Sequence, residues 1–303
     1  MCTCLSLRGD HLYFARNMDL DCDFARTAVR APRAFPLAGR RRHYAVAGVA
    51  QVREGIPYFA EGLNERGLYV AGLYFPDAVY AAKGMAPHVF MTSALALCAS
   101  ASEAARLLTN TDISGEGVDG PAPPLHWMLA DRTRTLVVER RAEGLFVHEN
   151  AFGVLTNSPP FPFHADNMRQ YMGISASSPA CGWHPLTPFG VGFGGIGLPG
   201  DGSPASRFVR AAFLRANAKG ASLFDVFGIL RSLAFPAGLA RTERGEERTL
   251  YSSVADADDG IFYYATDAHP RPCAVRLSGR EEGNSLAVFP FPKAEPPLFA
   301  DEA

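Results

Sequence analysis

MCTCLSLRGDHLYFARNMDL, residues 1–20, holds two apolar-rich runs divided by Arg8, Gly9 and Asp10. A charged, glycine-containing break between two such runs is a turn signal between strands, so the chain is expected to open on a hairpin. Cys2 begins the first strand, and Arg16 and Asp19 stand 14 and 17 positions further on in the second. Pairing across the turn returns both toward Cys2. A cation stabilises a thiolate, and a carboxylate orients an amine. For an arbitrary chain a cysteine at position 2 is only a small strand residue; the charged pair opposite it favours chemistry.

Initiator methionine is removed when the second residue is small, which would leave Cys2 with a free α-amino group. Such an amine titrates near about 8 and a thiol near about 8.5, so at neutral pH the amine can take the thiol proton. A separate catalytic histidine is then unnecessary.

Outward from the hairpin, strand-like runs fall at 44–52, 67–75, 135–141, 249–257, 260–267 and 273–279, and helical spacing at 88–100, 102–110, 203–218 and 222–234. Ser203 is placed to cap the third helix, with Pro204 at its first position. Strands come in runs rather than alternating with helices, which points to an α+β layered fold with mostly antiparallel sheets. The glycine- and proline-rich stretch 182–204 reads as a long structured loop, and 289–303 as an extended tail.

The 303 residues carry a net charge of -2, 48% hydrophobic and 20% charged residues. That length fits one large domain, and the balance suits a small ligand rather than nucleic acid. No segment reaches the roughly 20 apolar residues of a membrane span and no leader opens the chain, so a soluble, cytoplasmic protein is expected. Six cysteines, Cys2, Cys4, Cys22, Cys98, Cys181 and Cys273, are too sparse for a disulfide framework. They also lack the spacing of a tetrahedral metal site, so neither metal nor cofactor is expected. A Cys–His dyad built on Cys98, Cys181 or Cys273 stays open. GVGFGG at 190–195 fits a dinucleotide fingerprint formally, yet no helix follows it.

The motifs MCT at the start, FARNMDLDCDF (14–24), FAEGLNERGLYVAGLYFP (59–76), PPLHWMLAD (123–131), GVLTNSP (153–159) and GLPGDGSPASRFVRAAFLR (197–215) occur in an order and spacing that resemble the choloylglycine hydrolase family. That family comprises bile salt hydrolases and penicillin V acylases. The resemblance implies an N-terminal nucleophile hydrolase fold, a four-layer αββα sandwich in one domain over 2–303, and amide cleavage through a thioester. It implies Cys2 as nucleophile, Arg16 and Asp19 as the charged pair beside it, Asn157 as oxyanion-hole side chain and Arg207 as active-site arginine. Tyr74 stands where bile salt enzymes usually carry asparagine; its backbone N–H would join Asn157 at the oxyanion. Met18, Phe24, Phe59 and Ala60 would form an apolar wall for the acyl group, with ordinary core the favoured reading of Phe59. The loop at 182–204 would support a homotetramer.

A conjugated bile salt is the expected substrate. Arg16–Asp19 (RNMD), Arg241 and Thr242 favour it, whereas Tyr74 and LTPFG (186–190) favour penicillin V, the alternative. A non-catalytic binding protein on the same fold is the alternative of another class.

Overall fold

The computed structural model describes residues 1–178, 183 and 194–294. Residues 182 and 184–193 of the expected assembly loop, with LTPFG and most of GVGFGG, lie outside the described residues, as does Cys181. So does the tail from 295.

In chain order the first strands are β1 (Cys2–Arg8), β2 (Leu12–Leu20), β3 (Arg26–Ala31), β4 (Val46–Arg53), β5 (Ile56–Asn64) and β6 (Tyr69–Tyr74). Helices α1 (Pro87–Leu97) and α2 (Ala101–Thr111) precede β7 (Leu125–Ala130), β8 (Thr135–Arg141), β9 (Gly144–Glu149) and the short β10 (Val154–Leu155). Then come α3 (Phe161–Asn167), α4 (Pro204–Asn217), α5 (Leu223–Leu233), β11 (Ala240–Arg241), β12 (Glu246–Asp256), β13 (Ile261–Thr266), β14 (His269–Arg276) and β15 (Ala287–Pro290). They form two antiparallel sheets. One runs β10-β1-β2-β12-β13-β14 with β11 on β12, and the other β15-β3-β4-β5-β6-β7-β8-β9.

One apolar core, including Phe14, Leu63, Tyr69 and Met128, fills the space between the sheets and continues to Phe208, Phe227 and Leu230 of α4 and α5. A second core joins Phe90, Leu95 and Leu108 of α1 and α2 to the far side of the other sheet. The layers are therefore αββα, as expected. Each sheet buries both faces, which is why its strands read as nearly continuous apolar runs.

The opening hairpin forms as expected, with Cys2 opposite Met18 and Cys4 opposite Arg16. Its turn requires Gly9, because a Cβ there would lie 2.1 Å from the Ala221 carbonyl oxygen between α4 and α5. Ser203 caps α4 by accepting from the Ser206 N–H. Two readings are corrected. β3, β5, β7 and β9 fall outside the strand-like runs expected from the sequence. The extended tail begins as a strand, with Phe289 and Pro290 in β15 paired to β3. Phe291 beyond it packs on Tyr251 and Tyr264.

Two bulges shape the inner layer. Val49 pairs with Glu61 and Ala50 with Phe59, leaving Ala60 as the extra residue on β5. Thr249 pairs with Asp19 and Tyr251 with Met18, leaving Leu250 extra on β12. A bulge resets the alternation of faces and re-aims a backbone group. Phe59 therefore joins the outer core. Glu61, two positions on, instead points between the sheets, where Tyr251 also lies.

Candidate active site

Strand alternation sorts β1 and β2 by face. Cys2, Arg16 and Met18 point between the sheets, while Thr3, Asn17 and Asp19 point toward α4 and α5. On the inner side, Arg16 donates through Nη2 to the Cys2 Sγ at 3.2 Å and to the Gly72 carbonyl at 2.7 Å. Its Nη1 donates to the Ala60 carbonyl at 2.8 Å, the oxygen that the β5 bulge turns toward it. The Met18 sulfur lies 3.6 Å from Cys2 Sγ.

Arg207 is fully buried rather than a surface arginine of α4. Its Nη1 donates to the Cys2 carbonyl and to Thr3 Oγ1, both at 2.6 Å, and its Nη2 to Asn157 Oδ1 at 2.8 Å. The same Asn157 oxygen accepts from the Cys2 N–H at 3.0 Å, while Asn157 Nδ2 donates to the Tyr74 carbonyl at 2.7 Å. The side chain thus bridges the nucleophile strand to the end of β6. Tyr74 pairs with Leu125, but the β6–β7 bond is made by the Phe75 N–H to Pro124. Alternation therefore turns the Tyr74 N–H and C=O away from β7, to the side where Gly72 meets Arg16.

Asp19 does not touch the Cys2 sulfur. Its Oδ1 accepts from Thr249 Oγ1 at 2.6 Å, and its buried Oδ2 has no hydrogen-bond partner among the described residues. Burial pushes its carboxyl above the ordinary aspartate range, against the pull of Arg207 and the Thr249 hydroxyl. Met1 is attached, so Cys2 N is a peptide nitrogen here. The Met1 ammonium contacts the Glu247 carboxylate and the Asp19 carbonyl. Burial lowers its pKa.

Above Cys2 opens a cavity of 310 Å³ lined by Met18, Phe24, Phe59 and Ala60, all four of the expected wall. Phe59 serves both as core and as wall. Residues not foreseen complete it: Leu20, Gln51, Tyr58, His88, Val118 and Leu125 among them. Among the described residues Arg16 is its one formally charged side chain; burial lowers the pKa of His88, keeping that ring neutral near pH 7. Beyond Leu20 and Tyr74, which line both, a pocket of 540 Å³ with charges of both signs is bounded by Met1, Asp21, Arg241, Thr242, Glu243, Arg244 and Glu247. Cys2 thus sits on the apolar side of a junction between two unlike spaces.

Cys98 carries no such setting, and Cys181 lies outside the described residues. Burial raises the Cys98 thiol to about 11 and pushes the Cys4 thiol up as well, which disfavours both as nucleophiles. Glu61 and Glu247, the buried acids of this region, went unread in the sequence. The signal for Glu61 was a lone carboxylate inside the apolar run 57–64.

A family model for linear amide C–N hydrolases of the choloylglycine hydrolase family matches residues 2–282. A bile salt hydrolase/transferase of Clostridium perfringens is 36% identical, covering 97% of this chain and 98% of that one. The enzyme of the same description from Lactiplantibacillus plantarum is 34% identical over 96% and 97%. The crystal structure of a mutant conjugated bile acid hydrolase from Clostridium perfringens superposes with a TM-score of 0.89 at 33% identity, over 99% of this chain and all of that one. Penicillin V acylase from Agrobacterium tumefaciens shares the fold, with a TM-score of 0.75 at 20% identity over 95% and 90%. With its motifs in order along nearly its whole length and the same layered architecture, the chain belongs to the choloylglycine hydrolase family of linear amide C–N hydrolases.

Proposed function

We propose that the protein hydrolyses the amide bond of glycine- or taurine-conjugated bile salts, with Cys2, freed by loss of Met1, as nucleophile. The observation that carries this is the junction at Cys2, with an apolar cavity on one side and, on the other, a charged pocket in which Arg244 pairs with Asp21 at 3.0 Å while Arg241 stays exposed to meet an anion. A steroid acyl group suits the first and an anionic amino acid the second, with the scissile carbonyl over the sulfur. Relatives at 32–36% identity named for bile salt or conjugated bile acid hydrolysis support the substrate class.

In this reading Cys2 Sγ attacks the carbonyl carbon while the Cys2 amine takes the thiol proton. Arg16 favours the thiolate as it forms, and the unpartnered Asp19 Oδ2 orients the new amine. The oxyanion is held by Asn157 Nδ2, released from the Tyr74 carbonyl, and by the Tyr74 N–H. Arg207 fixes Asn157 and the Cys2 carbonyl. The amine then passes its proton to the leaving nitrogen, glycine or taurine departs, and water, activated by the same amine, cleaves the thioester to free acid and thiol. The catalytic unit is one domain from Cys2 onward, in a cytoplasmic homotetramer; light scattering that returns a monomer would exclude the tetramer.

Tyr74, 44% exposed at the junction, favours penicillin V as a second reading. Amine release by the Met1-free protein from glycocholate, taurocholate and penicillin V at matched concentrations separates the two. Faster release from the cholates is expected; faster release from penicillin V would replace the bile salt reading, and none from any would end both.

A further inference from the structure

We propose that Glu61, which touches no reacting atom, acts on Cys2 through Arg16 by partly offsetting the guanidinium charge that the sulfur feels. This rests on the reading of Cys2 as nucleophile given above.

Glu61 is fully buried between the sheets. Three hydroxyls converge on its carboxylate: Tyr251 donates to Oε1 at 2.7 Å, and Tyr69 and Ser253 donate to Oε2 at 2.6 and 2.8 Å. They come from β6 and β12, so the group ties one sheet to the other. An acceptor with three such donors is what a buried carboxylate requires to remain there as an anion. A buried anion also needs a cation, and the geometry names it. Ser253, which bonds Glu61, is the register partner of Arg16 on the neighbouring strand, and Arg16 bonds the carbonyl of Ala60, the residue before Glu61. Arg16 and Glu61 thus flank one another in the same layer. They do not form a direct ion pair: both Arg16 η nitrogens are taken by backbone carbonyls and by Cys2 Sγ.

That division of labour decides the sign of the effect. Because main chain holds the guanidinium, removing the Glu61 charge leaves Arg16 in place but uncompensated. At low local dielectric the sulfur then feels more positive charge, so thiolate forms at lower pH. A less basic thiolate is also a weaker nucleophile, so the gain in thiolate does not carry over in full to rate. Besides Arg16, the groups facing Glu61 from the packed elements are Tyr69 of β6, Tyr251 and Ser253 of β12, and Cys4 of β1.

The test is the pH dependence of iodoacetamide alkylation at Cys2, followed by mass spectrometry of the N-terminal peptide so that Cys22 and Cys273 do not contribute. In Glu61→Gln the midpoint is expected about one pH unit lower than in the parent, with the acid limb of amine release moving the same way. Glu61→Asp keeps the charge but draws it back from Arg16, so its midpoint should fall between the two. A midpoint unmoved in Glu61→Gln overturns the proposal; if that variant does not fold, an unmoved midpoint in Glu61→Asp does so. Alkylation of Cys2 that leaves amine release intact would instead overturn the nucleophile assignment itself, so the two failures are told apart.

Discussion

The two sides of the cleft at Cys2 are built differently. The floor, from β1, β2, α4 and the turn after β10, holds two buried arginines whose η nitrogens all donate to named acceptors. The walls, from β5, the end of β6 and the segments around 117–125, are largely apolar side chains packed with few directional contacts. Buried, hydrogen-bonded charge fixes geometry because a lost partner leaves an unsatisfied group in low dielectric. Apolar contact is non-directional and tolerates exchange. The floor should therefore govern the rate with every substrate, and the walls the ranking among substrates.

Cys2→Ser breaks the floor most severely. A hydroxyl is a poorer nucleophile beside an amine of this basicity, and kcat is expected to fall by about 10²- to 10⁴-fold for all substrates alike. Retained turnover would show that the floor is not where chemistry happens. Asn157→Ala removes one oxyanion donor, expected to cost about 2.7 to 4 kcal/mol in kcat with KM nearly constant. A change in KM alone would move Asn157 from the floor to the walls in function. Phe24→Ala strips one apolar side chain from the cavity, which should lower kcat/KM about tenfold for steroid amides, through KM, and little for small acyl amides. Equal losses with both would erase the distinction between walls and floor.

Two pH experiments sharpen the comparison further. The Asp19 carboxyl is raised by burial, so the native state holds a proton that the unfolded chain has already released. Stability from this group falls as pH rises from the ordinary aspartate range through the native value. Asp19→Asn should flatten that slope in denaturation curves on the alkaline side of the ordinary aspartate range, above about pH 4. Away from the cleft, His11 Nδ1 donates to the buried Asp256 Oδ2 at 2.7 Å, and this hydrogen bond raises the His11 pKa. Its contribution is full below about pH 6.5 and lost as pH rises through the native value. His11→Gln should lower thermal stability slightly near pH 5.5, not at pH 9, and less in added salt, because the His11 ring is partly exposed.

The sequence by itself determined the layered α+β class, the opening hairpin and the approach of Arg16 to Cys2, since turn chemistry and run composition are local and survive reading in one dimension, while Asn157 and Arg207 joined that group only through the resemblance of the ordered motifs to a family. Cavity-wall residues from 14–24 and 59–76 were legible for the same reason. What only the tertiary structure decided was direction. Bulges at Ala60 and Leu250 reset the strand alternation, so period-two reading assigns Phe59 and Glu61 to one face when they occupy opposite ones. Alternation likewise put Asp19 on the helix side of β2, opposite to the face that carries Arg16 and the Cys2 sulfur. The Glu61 site needed donors from β6 and β12, separated by more than a hundred residues in sequence and joined only by the stacking of two sheets.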